Sequence, residues 1–189
     1  SSLTQSLGRK PFMERILRIQ SNRMIQKLST HIRQNLEAWW LVAIAMCLVV
    51  LTFVRVHSLD FFLVEVDQQS HLNFARLLTD SLTPSISQLR FWPPLLHILP
   101  APFASIDALY LSGVAGAFAI LPLLFLAGYF LYKTVYVLTE DMHAALFVTL
   151  LFFMSPYVLY YGMTSMMEIP FFAVFLGAFY FLARCLKEG

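Results

Sequence analysis

Residues 38–57 read AWWLVAIAMCLVVLTFVRVH, and the fold turns on this stretch. An α-helix needs about 20 apolar residues to cross a bilayer's hydrocarbon core. Here only Arg55 is charged, and it stands near the end of the run. Trp39 and Trp40 open the run, where amphipathic rings settle at headgroup depth. The surrounding chain agrees. Of its 189 residues 59% are hydrophobic and 13% are charged, about half the ~25% charged residues of a typical soluble domain. Mean hydropathy is +0.69. The ten-residue alternation of a membrane β-barrel is absent. The expected fold is an all-α integral membrane protein.

Three more apolar runs follow, at 109–132, 142–160 and 169–186. With 38–57 they make about four transmembrane helices, leaving outer loops at 58–108 and 161–168. Lys and Arg set the sidedness. Arg9, Lys10, Arg15, Arg18, Arg23, Lys27 and Arg33 precede the first span, against Glu14 and Glu37 alone. The N-terminus is therefore expected in the cytoplasm. Lys133, Arg184 and Lys187 then fall on the same side. The opposite face is the periplasmic side of an inner membrane, or the lumen of the endoplasmic reticulum.

Two parts result, a basic cytoplasmic segment (1–37) and a transmembrane module (38–189). In the first, Met24, Ile25, Leu28, Ile32 and Leu36 share one helical face among basic residues, which suits a helix lying on an anionic leaflet. The adjoining spans exclude nucleic acid as the partner of that basic stretch, and make the lipid bilayer its partner. Cys47 and Cys185 sit at different depths, too far apart for a disulfide. A solute carrier or channel would place ionisable groups at the midplane of its spans. Arg55 and Lys133 lie near span ends, which argues against that class.

Chemistry concentrates outside. Residues 61–78 read FFLVEVDQQSHLNFARLL, with Glu65, Asp67 and His71. Leu72, Ala75, Leu78 and Leu82 recur at helical spacing, so a half-apolar helix is expected here, lying on the membrane and ended by Thr83-Pro84. Asp67 falls at the expected N-cap. His71, four residues on, shares its face, and the pair can pass a proton or hold a cation. Next comes LRFWPPLLHILP (89–100), whose prolines forbid one long crossing. A short helix from Pro94 to about Leu99 is expected at the interface. Phe91 and Trp92 would anchor it, and Arg90 faces the same interface, where it can hold a lipid phosphate or simply snorkel. In the second outer loop Glu168 precedes Ile169-Pro170 at the head of the last span. There it can cap that helix, and an ionisable group at a membrane boundary is also a candidate site. Ser112 to Ala119 (SGVAGAFA) are small enough for close helix packing.

The order of these features resembles the N-terminal part of the GT-C superfamily of membrane glycosyltransferases, in particular the dolichyl-phosphate-mannose–protein mannosyltransferase and lipid A aminoarabinose-transferase group. The residues that carry the likeness are Asp67-Gln68-Gln69-Ser70-His71 through Ala75-Arg76, Trp92-Pro93-Pro94-Leu95-Leu96, and Glu168-Ile169-Pro170. The family's acidic pair is commonly Asp-Glu, and its second position here is Gln68. The resemblance implies sugar transfer from a polyprenyl-phosphate donor to an acceptor at the outer face, with inversion at the anomeric carbon. It assigns Asp67 as base and Glu168 as orienting carboxylate. His71, Arg76, Arg90 and Glu65 become substrate-binding candidates. A metal, if used, is Mg²⁺ or Mn²⁺ on Asp67, His71 and Glu168, the side chains with suitable donors. The alternative is a non-catalytic subunit that holds other membrane subunits together, built on a partial helix bundle of this type. Gln68 and the small span count favour it.

Overall fold

A computed structural model describes residues 39–81 and 93–189. The chain divides into two compact units, Ser1–Val42 and Ala43–Gly189. The expected amphipathic helix within 1–37, the Thr83-Pro84 stop, Arg90, Phe91 and Trp92 lie outside the described residues. Among those described, regular structure is helical throughout.

Three helices are long and apolar enough to cross a membrane: α1 (Trp39–Ser58), α6 (Val114–Thr139) and α9 (Glu168–Glu188). Between α1 and α6 lie a 3-10 turn (Phe61–Leu63), α2 (Val66–Asp80), α3 (Leu95–Ile98), α4 (Ala101–Ala104) and α5 (Asp107–Leu111). The expected second span at 109–132 thus begins later, at Val114. Ser112 and Gly113 break the run, and Gly113 takes a left-handed φ of 77°. Only glycine suits that turn, because a Cβ there would stand 2.7 Å from that of Phe62.

The expected span at 142–160 is not one helix. It is α7 (Met142–Met154) followed by α8 (Pro156–Tyr161). Pro156 has no N–H to continue the ladder, and the Ser155 hydroxyl accepts from the Val158 N–H to start a new helix. Thirteen residues in α7 rise about 20 Å, less than the ~30 Å hydrocarbon core. Among the described residues, three candidate spans therefore stand where four were expected.

The packing still carries the chain back. Phe153 of α7 lies against Gly128 of α6, Gly162 after α8 lies against Leu124, and Ser165 lies against Gly116. The α7–α8 pair therefore retraces α6 from its C-terminal to its N-terminal end. α9 then runs parallel to α6. Its Gly177 approaches Phe130, and the Lys187 ammonium donates to the Val137 carbonyl at 2.8 Å. Alternation of small and large residues allows this fit. A Cβ on Gly116 would meet the Ser165 hydroxyl at 2.2 Å, so the SGVAGAFA stretch does serve close packing within the chain.

α6 is the hub, with half of its apolar window buried against 17% for α1. The main core joins Val49 and Val56 of α1 to Phe62, Ile120, Leu124 and Ile169. A smaller one joins Leu72 and Ala75 of α2 to Ala101 and Ala104 of α4 and Ala115 of α6. Burial of Leu72 and Ala75 matches the expected apolar face of α2. Cys47 and Cys185 are free thiols.

Candidate functional site

The two expected outer segments meet at one end of the bundle. Glu65 and Gln68 open α2 with a capping box, and the Glu65 backbone N–H donates to Gln68 Oε1 at 3.3 Å. Glu65, not Asp67, is therefore the N-cap. Val66, two positions earlier than expected, already turns into the helix. The E-x-x-Q spacing was the available signal.

Around this start stand three tyrosines of α8. The Tyr161 phenol donates to Glu65 Oε1 at 3.1 Å. Gln68 Nε2 donates to the Tyr160 phenol oxygen at 3.1 Å, and that phenol donates to the Phe61 carbonyl at 3.3 Å. Tyr157 packs against Tyr161, ring centroids 4.4 Å apart. Loss of hydration, then the Glu65 hydrogen bond, pushes the Tyr161 phenol up to about 12, so it stays a donor at physiological pH. The charges of Glu65 and Glu168 both act on Tyr161 and on Tyr157. Glu65 and Glu168, from segments far apart in sequence, thus converge on one tyrosine pair.

Glu168 occupies the first turn of α9, whose N-cap is Met167. It makes no capping bond, contrary to the expected cap. Its Oε2 is buried with no hydrogen-bond partner among the described residues. A buried acceptor without a donor costs about 1–3 kcal/mol, so this oxygen is a poor structural element and a good docking point for a hydroxyl.

Asp67 is exposed in the first turn of α2. Its charge acts on His71, as the four-residue spacing requires. His71 Nδ1 lies 3.0 Å from His97 Nε2, a partner on α3 that the sequence reading missed. Both rings are buried, at 3% and 0% exposure. Loss of hydration, then the His97 ring, holds His71 down to about 4, against a smaller upward pull from Asp67. Burial lowers His97 as well. A lone histidine inside PPLLHILP carries no periodic signal, and only folding shows its partner.

Arg76 is fully engaged. It pairs with Asp80 and with Asp107, the latter at 2.7 Å. It also donates to the Ala104 carbonyl at 2.8 Å and lies over the Tyr110 ring. It binds α2 to α4 and α5 and has little left for a substrate phosphate. Arg90 lies outside the described residues. No three His, Cys, Asp or Glu side chains among the described residues are placed to hold a metal. Asp67, His71 and Glu168 thus do not form the expected cation site.

No protein-family model, curated protein or solved structure matches the chain.

Proposed function

We propose that this chain is a membrane-embedded glycosyltransferase module that moves a sugar from a polyprenyl-phosphate donor to an acceptor hydroxyl at the outer face. One observation carries the reading: the Tyr161 phenol donates to Glu65 Oε1 at 3.1 Å, and the charges of both Glu65 and Glu168, the latter in the first turn of the apolar helix α9, act on Tyr157 and Tyr161. A lipid-linked donor needs its sugar at the membrane boundary and its chain among apolar helices. The acceptor hydroxyl needs a base as it attacks the anomeric carbon, and direct displacement inverts that centre. The buried, unpartnered oxygen of Glu168 supports it as that base, with Glu65 and Tyr161 orienting the acceptor. Asp67, exposed beside His71, is the second candidate. The leaving phosphate needs a cation. Arg76 is committed to Asp80 and Asp107, so Arg90 is the candidate.

The test is transfer from a polyprenyl-phosphate-linked sugar in membranes carrying Glu168→Gln or Asp67→Asn. Loss of a general base lowers the rate by about 10²–10⁴. Full transfer by both variants, at unchanged protein level, ends the proposal.

A second reading, a non-catalytic assembly subunit, is favoured by Gln68. It stands where the resembled family carries an acid, and it is fully buried in structural bonds to Glu65 and Tyr160. Absence of transfer by the unaltered protein, together with co-purifying membrane subunits, selects this reading.

A further inference from the structure

We propose that the contact between His71 and His97 is an acid-sensitive latch that holds α3 against α2. Two buried imidazoles at 3.0 Å share one proton, with one ring donating and the other accepting. This arrangement suits two neutral rings. A first added proton puts a charge on a ring that is shut off from water. A second leaves two N–H groups facing each other and two positive charges in contact.

The surroundings decide how protons are received. Asp67 faces His71 from α2 and partly compensates a charge there. The Pro93 carbonyl lies beside His97 ahead of α3, and the Phe74 ring stands edge-on to His97 at 5.5 Å. α4, which packs on both helices, reads Ala-Pro-Phe-Ala and offers no titratable group. The ions further along α2, Arg76 and Asp80, pair with each other and with Asp107 of α5. Among the described residues Asp67 is the carboxylate whose charge acts on His71, and burial outweighs it.

With α3 released, both rings meet water and titrate near the ordinary value of about 6.5. In the closed state His71 titrates only near 4. The open form therefore takes up protons first as pH falls below about 6.5, and the advantage grows until about pH 4, where the closed form also titrates. Between pH 7.5 and 5.0 His71 alone shifts the opening equilibrium by roughly 30-fold, and His97 adds to it. Opening exposes Leu96 and Leu72, which are now buried. Acid would thereby uncover an apolar surface at the candidate-site end.

Hydrogen exchange of the whole protein in lipid nanodiscs tests this. The reporters are the amides of Ile98 and Leu99, bonded to the Pro94 and Leu95 carbonyls. After correction for intrinsic rates, protection there should fall at least tenfold between pH 7.5 and 5.0, while α6 amides keep theirs. The His71→Gln, His97→Gln double variant should lose that pH dependence. Unchanged protection in the unaltered protein overturns the latch, and so does a pH dependence that survives in the double variant. Should that variant not fold, imidazole NMR titration of the unaltered protein decides. The His71 ring should stay neutral at pH 5.5 and His97 should titrate below its ordinary value, and ordinary titration of both near 6.5 overturns the proposal.

Discussion

The Tyr161 phenol donates to Glu65 at 3.1 Å across 96 positions of sequence. This bond ties the start of α2 to the end of α8, and the Gln68–Tyr160 bond beside it does the same. Both contacts act at once on the first turn of α2, so they should be coupled. Removing the phenol by Tyr161→Phe is expected to destabilise by about 1 kcal/mol, the scale of a single hydrogen bond. Glu65→Gln should cost a similar amount through the same bond and the cap. The double variant should cost less than the sum, by about 0.5–1 kcal/mol. Thermal unfolding in detergent, read as a double-mutant cycle, checks this. Strict additivity would show that the bond does not form in solution.

Gly116 and Ser165 bring α6 and the segment leading to α9 into close approach. A methyl at Gly116 would stand 2.2 Å from the Ser165 hydroxyl and 2.9 Å from its backbone nitrogen. The hydroxyl can be deleted, but the backbone cannot retreat alone. Gly116→Ala is expected to destabilise by about 1–3 kcal/mol, the usual cost of overpacking. Adding Ser165→Ala should recover part of that and not all. The same pair of variants should disturb Glu168, because Ser165 sits just ahead of it. Complete recovery would mean that the backbone is softer than the packing implies.

Much of this was legible beforehand. Residues 38–57 and 169–186 are apolar over the length of a span, and α1 and α9 follow them closely. The third span was not legible as two helices, because hydropathy averages across Ser155-Pro156. The Ser-Pro step itself was the available signal, a cap followed by a residue favoured at the first helical position. The start of α2 shows the same limit. Asp67 fits the acidic pattern of the resembled family, while the capping box from Glu65 to Gln68 decides where α2 starts. The His71–His97 contact and the burial of Glu168 Oε2 were beyond reach, since each depends on elements that meet only in the fold.

Arg76 gives a test that separates binding from architecture. Its guanidinium serves Asp80, Asp107 and the Ala104 carbonyl at once. Lysine cannot reproduce that fork. Arg76→Lys is expected to lower the thermal midpoint, and any loss of sugar transfer should follow the loss of folded protein. KM for the donor should stay unchanged. A raised KM at full stability would return Arg76 to the donor phosphate.

At the other end of the bundle Lys187 reaches Glu140, and the ammonium holds that carboxyl below its usual range. A depressed carboxylate stabilises above its unfolded value near 4.5, and that contribution disappears as pH falls through the lower folded value. Glu140 is exposed, so solvent and salt screen the pair. Glu140→Gln should move the thermal midpoint by no more than about 2 °C at physiological salt. A larger shift would mean that the pair fixes the α6–α9 ends more firmly than an exposed contact can.

Sidedness is open to direct labelling. Ser70 and Ser165 would be poor reporters, because Ser165 is buried and the Ser70 hydroxyl bonds the Val66 carbonyl. Gln69 and Met167 are exposed at the candidate-site end, and Asp141 is exposed at the far end of α6. Single cysteines at these positions, with Cys47 and Cys185 replaced by alanine, should react with an impermeant maleimide in two groups. Gln69 and Met167 should label from one face of sealed vesicles, and Asp141 only after the membrane is opened or from inverted vesicles. Basic residues before α1 predict that Asp141 faces the cytoplasm. Labelling of Gln69 and Asp141 from the same face would mean that α6 does not cross the bilayer. The convergence of Glu65 and Glu168 would then lie outside any boundary that a lipid-linked sugar could reach.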